Sequence, residues 1–252
     1  MKSVIITGGN DGIGFHMVSQ FLTGGKRVAV FDLNINNLEK LKEKYKDNLL
    51  YFTCDIANES IVNSCTAQVF TAFGSIDYAI HNACKCLFTS LEQTFESDFK
   101  SVFNVNYFGA INLTKAVLPY MKKQQQGRII FTSSGVGVMG FNNISAYASS
   151  KGAIESLAKC LNIEYQNTGI TFHIMHPPLT KTTSSSPLPV PNEFKADASV
   201  VGTGLAKNID KNKFIICHSF FQTIQVKLCY LFPIKLGRLM SKMTAKVSNP
   251  SK

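Results

Sequence analysis

Tyr147 and Lys151 stand four residues apart in Tyr147-Ala148-Ser149-Ser150-Lys151, and Ser134 lies thirteen residues before the tyrosine. Positions i and i+4 share one face of a helix, so this spacing sets an ammonium beside a phenol. An ordinary phenol titrates near about 10 and carries protons poorly at neutral pH; a cation beside it stabilises the phenolate and draws it toward the working range. Ser134 closes a strand-like run, Arg128–Ser133. A hydroxyl at a strand's carboxyl end and a phenol from the next helix can converge over one crevice. That pairing predicts proton exchange with a substrate oxygen. A surface tyrosine beside a solvated lysine is the plainer reading of the spacing alone, and the position of Ser134 argues against it.

A second constellation follows the first apolar run. Thr7-Gly8-Gly9-Asn10-Asp11-Gly12-Ile13-Gly14 leads into a helical pattern. Glycines at 8, 12 and 14 let the backbone turn sharply and approach a pyrophosphate, and the helix offers N–H groups and a positive dipole end. Position after a first strand is what makes such a turn specific for a dinucleotide. Eighteen residues past Gly14 the second run ends in Phe31-Asp32-Leu33. A carboxylate there accepts from both adenosine ribose hydroxyls and repels a 2′-phosphate. No Arg or Lys stands at 10, 11 or 33. NAD(H) is expected over NADP(H).

The elements that must position these groups alternate along the chain. Ser3–Thr7, Arg27–Asp32, Leu49–Thr53, Asp77–His81, Arg128–Ser133, Ile170–Met175 and Phe214–Cys217 read as strands, rich in Val, Ile, Phe and Tyr. Segments near 12–23, 35–46, 58–72, 95–123 and 146–166 carry helical spacing between them. Such alternation implies an α/β fold, doubly wound around a central parallel sheet of about seven strands, since parallel strands need crossovers. One catalytic domain is expected over 1–217. Thr180–Pro191, rich in Ser, Thr and Pro, marks a substrate lid near 179–197 over the strands' carboxyl ends.

Of 252 residues, 45% are hydrophobic and 17% charged, which supports a large core and excludes global disorder. The net charge is +10, but residues 205–252 hold nine basic side chains and one acid, so the body carries only +2. A nucleic-acid binder would spread its basic residues over the folded surface, so no nucleic acid is expected. Seven irregularly spaced cysteines read as free thiols in a reducing compartment. Cys84-Lys85-Cys86 lacks a second half-site, so no metal is expected. The apolar stretch at the N-terminus is only Val4-Ile5-Ile6, too short for a signal peptide, and a cytoplasmic location is expected. Residues 218–252 form a basic, apolar extension with helical spacing broken by Pro233. It fits either an anionic membrane surface, for peripheral association, or packing on the protein or a second copy.

Together these motifs resemble the short-chain dehydrogenase/reductase family, small single-domain type with a Rossmann fold, from Ser3 to about Thr182. The matching pieces are the glycine turn at 7–14, Asp32, Cys54-Asp55-Ile56, His81-Asn82-Ala83, Asn106-Tyr107-Phe108-Gly109, Ser134, Tyr147 with Lys151, and Pro177 followed by Thr182. The resemblance implies that Tyr147 exchanges the proton and Ser134 polarises the carbonyl. Lys151 would bind nicotinamide ribose and tune Tyr147, and Asn106 would hold a water. It further implies cofactor contacts from Gly8, Asn10, Asp11, Gly12, Ile13 and Gly14, from Asp32 and Leu33, and from Asp55 and Ile56 near adenine. Asn82 and Ala83 would line the crevice, with Pro177 and Thr182 at the nicotinamide end. An alcohol–ketone oxidoreductase follows, as a homodimer or homotetramer, and the apolar tail with the Pro/Ser-rich lid points to a small-molecule, hydrophobic and lipid-like substrate. A cofactor-binding sensor or scaffold is the alternative. Two departures bear on it: Cys84 stands where the family usually has Gly, and Pro178 follows Pro177 in place of Gly.

Overall fold

β1 (Ser3–Thr7) is buried along its whole length. A strand with no exposed face belongs in the middle of a parallel sheet covered on both sides. The computed structural model, which describes residues 1–188 and 190–248, places it there; the side chains of 245–248 lie outside the described residues, as do 249–252. β2 (Arg27–Asp32), β3 (Leu49–Thr53), β4 (Tyr78–His81), β5 (Gly127–Thr132), β6 (Ile170–Met175) and β7 (Ile215–Ile216) complete a seven-stranded sheet in the order β3-β2-β1-β4-β5-β6-β7. Every pairing is parallel. The doubly wound α/β reading is thus what the chain adopts, with β7 shorter than the expected Phe214–Cys217.

The sheet order reverses between β1 and β4, where crevices open beyond the carboxyl ends of the strands. Register lines up Thr7 with Phe31 and His81, and His81 with Phe131. One face of the sheet packs on α3 (Glu59–Phe73), α5 (Gly109–Gln124) and α7 (Ser145–Glu164), through Val62, Val69, Leu113, Val117 and Ile154. The other packs on α1 (Gly12–Thr23) and α8 (Ala198–Asn208), through Met17, Phe21, Val201 and Leu205. Each such side chain contributes roughly 1.5–3 kcal/mol on full burial. α2 (Glu39–Tyr45) is the short helix between β2 and β3.

The helical pattern over 95–123 proves to be two helices. α4 (Glu96–Phe103) passes through a π turn, Asn104–Phe108, into α5. An extra residue in one turn re-aims the side chains there, and such bulges cluster at functional sites. Two helices stand where none was expected: α6 (Gly135–Met139), capped by Ser134, and α8. The extension forms α9 (Phe220–Leu231) and α10 (Pro233–Ser248). Pro233 is the first residue of α10, where its missing N–H costs nothing.

Candidate active site

Ser134 leaves β5 with an extended backbone and caps α6, while Tyr147 projects from the first turn of α7. The Ser134 hydroxyl lies close enough to the Tyr147 phenol to act on it, in the lowering direction. Lys151, one turn further on, is buried, and its Nζ donates to the Thr132 carbonyl at 2.8 Å. That Nζ lies 5.7 Å from the centre of the Tyr147 ring. The ammonium therefore faces the ring and is anchored to β5. The phenol is not lowered: burial first, then the neighbouring Cys86 and Cys84 thiols, push it well above the ordinary value, against the Ser134 hydroxyl. The tyrosine is held protonated.

Asn106 sits in the π turn, fully buried. Its Oδ1 accepts the Lys85 N–H at 2.7 Å, and its Nδ2 donates to the Lys85 carbonyl at 3.0 Å and to Ser150 Oγ at 2.9 Å. The side chain thus staples the segment after β4 to α7. His81, outside the expected site residues, completes this floor. Its Nε2 is 3.1 Å from the Asn106 carbonyl, which can only accept, so Nε2 carries the hydrogen. Nδ1 then accepts from Thr7 Oγ1 at 3.2 Å, and that oxygen accepts the N–H groups of Asn82 and Ala83 at 3.0 Å each. Burial, then the Lys151 charge, lowers His81 to about 3, so it stays neutral.

The glycine turn fits a dinucleotide. Gly8 has φ +64, and a Cβ there would stand 2.7 Å from Ala83 Cα; a Cβ on Gly14 would overlap the Gly8 carbonyl oxygen. Asn82 Nδ2 donates to that same carbonyl at 2.9 Å. Asp32 ends β2 with its carboxylate accepting Asn10 N–H at 3.0 Å and Asn34 N–H at 3.2 Å. A carboxylate has about four acceptor positions, so lone pairs remain for ribose hydroxyls. Asn10 Oδ1 accepts the Asn37 N–H at 2.9 Å, fixing the following loop. The α1 N-terminus is less open than expected: Asp11 Oδ1 caps Gly12 N–H at 2.7 Å, and its Oδ2 accepts Thr183 Oγ1 at 2.6 Å.

The remaining expected contacts are scattered around this frame. Ile13 is half-buried against the α1–α8 core, Ile56 is buried, and Leu33 is exposed. Asp55 is exposed and accepts the Ala57 N–H at 2.9 Å. Pro177 is half-buried at the exit of β6. Thr182 lies over Gly12, with its hydroxyl accepting Ser185 N–H at 3.3 Å. The 179–197 segment folds back on itself through a bridge from Thr180 to Ala196. A cleft of about 880 Å³ opens beside the glycine turn, between Asn10, Asn37, Lys40, Lys181 and Lys195, and its lining stops short of Ser134 and Tyr147. His176, at the exit of β6, is fully buried. Its Nε2 pairs with Glu155 at 2.8 Å, and Tyr230 donates to the same carboxylate at 2.5 Å. Among the described residues no group of three or more His, Cys, Asp or Glu could hold a metal ion.

The sequence profile of the family described as short chain dehydrogenase matches residues 2–190. The chain belongs to this family. Among relatives of this short-chain dehydrogenase, the fatty acyl-CoA reductase of Acinetobacter baylyi is 29% identical over 74% of the chain, which spans 65% of that protein's length. The 2-(R)-hydroxypropyl-CoM dehydrogenase of Xanthobacter autotrophicus is 33% identical, over 72% of this chain and 75% of that protein. The solved structure of a short-chain dehydrogenase from Streptomyces avermitilis covers the whole chain and 99% of its own, with TM-score 0.80 and 21% identity; it shows the fold alone. Short-chain dehydrogenases are oxidoreductases whose fold binds NAD(P)(H). In this one, the family's usual glycine is Cys84, whose Sγ lies 4.0 Å from Cys86 Sγ. The second proline's carbonyl accepts Thr180 Oγ1 at 2.8 Å, so the Pro177-Pro178 turn is tied down from its own loop.

Proposed function

We propose that this short-chain dehydrogenase uses NADH to reduce a ketone on a hydrophobic, lipid-like substrate to the alcohol. The convergence of Ser134, Tyr147 and Lys151 above the Asn106 staple carries this reading. The bound dinucleotide supplies the hydride; Gly8, Gly14, Asn82 and Ala83 would hold it, with Asp32 at the adenosine ribose and Lys151 at the nicotinamide ribose. Ser134 donates a hydrogen bond where negative charge develops on the carbonyl oxygen. Tyr147 Oη gives up its proton to that oxygen. Lys151, fixed by the Thr132 carbonyl, stabilises the phenolate left behind. The protonated phenol is the form that donates to a carbonyl oxygen, and the raised Tyr147 keeps that form at neutral pH. A scaffold would need none of these groups.

Two carboxylates favour NADH. Asp32 would accept from ribose hydroxyls and Asp11 adds negative charge at the turn, so a 2′-phosphate would meet repulsion without a matching cation at 10, 11 or 33. A charge-assisted hydrogen bond is worth roughly 1.5–3 kcal/mol, or about 10–100-fold. Asp32→Ser is expected to lower the ratio of NADH to NADPH specificity by that factor, read as the two kcat/KM values. An unchanged ratio would remove Asp32 from the account.

The hydrophobic substrate is supported by the wall beside Ser134. Cys229 of α9 lies 3.7 Å from Met139 Sδ in α6, and Gly237 of α10 packs against the Met139 and Gly140 carbonyls. With one face so occupied, the other leaves Phe220 82%, Phe221 68% and Leu231 68% exposed among Lys227, Lys235, Arg238 and Lys242. No helix among the described residues is long and apolar enough to cross a membrane. This face suits an anionic lipid surface, at roughly 1 kcal/mol per basic residue. Vesicles containing phosphatidylserine are expected to retain the full chain, and to release it when Phe220, Phe221 and Leu231 become Ser. A protein that ignores vesicles and sediments as a dimer until those changes are made would assign the face to a second copy.

A further inference from the structure

Cys84 and Cys86 lie on the stretch between β4 and α4 that carries no helix or strand. Alternate residues of an extended segment face one way, and Asn106 clamps the intervening Lys85 backbone at both N–H and C=O. The two Sγ atoms consequently stand 4.0 Å apart. The Cys86 thiol acts on the Tyr147 phenol, and the Lys151 charge acts on both thiols. The pair is unequal. The bond from Cys86, aided by Lys151, lowers Cys84 below the ordinary thiol range, while the same contact and burial raise Cys86. A thiolate beside a protonated thiol is the arrangement that oxidises stepwise. Cys54 and Cys65 are near enough to act on each other, but burial raises Cys54 to about 12 and Cys65 in the same direction, leaving both inert.

We propose that Cys84 and Cys86 form an oxidation site that a hydroperoxide converts to an intramolecular disulfide. The Cys84 thiolate attacks the outer peroxide oxygen: an S–O bond forms, the O–O bond breaks, and the alkoxide or hydroxide leaving group takes a proton. Sulfur is oxidised and the peroxide reduced. Cys86 sulfur then attacks the sulfenic sulfur, forming S–S and breaking S–O, and the departing hydroxide leaves with the Cys86 proton as water. Closure from 4.0 Å to about 2.05 Å consumes the two thiols that act on the Tyr147 phenol. Two thiols alone make no metal site here, since no third ligand among the described residues joins them.

The site stands on the thiol geometry; its consequence for Tyr147 rests on the proposed reduction. The full chain, carrying Cys160→Ser to remove the exposed thiol, is treated with a small excess of hydrogen peroxide and mapped by mass. The expected result is a disulfide joining 84 and 86, reversed by dithiothreitol, with Cys54 and Cys65 still free. Cys86→Ser is expected to trap a Cys84 sulfenic acid that dimedone captures. Ketone turnover should fall several-fold as the disulfide forms and recover on reduction. Thiols at 84 and 86 that survive while other cysteines oxidise would overturn the site. A disulfide that forms with no loss of turnover would overturn its coupling to Tyr147.

Discussion

Tyr147→Phe is expected to lower ketone reduction by about 10²–10⁴-fold while NADH affinity stays within a few-fold of the parent. The phenylalanine keeps the ring that Lys151 faces at 5.7 Å and removes only the phenol oxygen. A loss confined to kcat would mark a group used in the chemical step. The pH dependence adds a sign. Burial and the two thiols raise the phenol, so its protonated form persists above the ordinary range. Reduction should stay level through neutral pH and fall only beyond about 10. The reverse oxidation, which needs phenolate, should rise across the same interval. Reduction already declining at neutral pH would mean that the bound state lowers Tyr147 after all.

Ser134→Ala should cost about 10²–10³-fold in kcat, the loss seen when one donor to a developing oxyanion is removed. Ser134 has a second task, as its hydroxyl opposes the rise of the Tyr147 phenol. The alanine variant should therefore keep the level pH profile. The double variant with Tyr147→Phe should lose little more than Tyr147→Phe alone, because the two hydroxyls act on one oxygen. Additive losses would mean that they serve separate atoms. Folding should be unaffected, since the extended Ser134 backbone caps α6 without a side-chain bond.

The strands were legible because parallel strands buried on both faces read as continuous apolar runs, and β1, β2, β3 and β6 end where those runs end. The glycine turn and Asp32 were legible for a related reason: backbone turns and a strand-end carboxylate are local facts. The π turn was not. Asn104–Phe108 keeps helical spacing, and what distorts it is Asn106 reaching Lys85 and Ser150, groups distant in sequence. α8 was hidden by its own composition, since Gly202 is poor in helices yet needed where a Cβ would meet the Ile13 carbonyl at 2.6 Å. Nothing local announced that His176 would be buried against Glu155 and Tyr230, which α7 and α9 bring in. Likewise nothing local announced that the Cys86 thiol would act on Tyr147, or that His81 would hold the Asn106 carbonyl. Such contacts require the crossovers to be closed first.

The central claim is NADH-dependent reduction of a hydrophobic ketone through Tyr147, and the most direct measurement is NADH oxidation by the purified full chain. Ketones graded from short to long chain would serve as substrates, with Tyr147→Phe run beside the parent. Turnover that rises with chain length and disappears in Tyr147→Phe is the predicted result. A protein that binds NADH yet leaves it unoxidised with every ketone, or one that turns over equally well without the phenol, would contradict the claim.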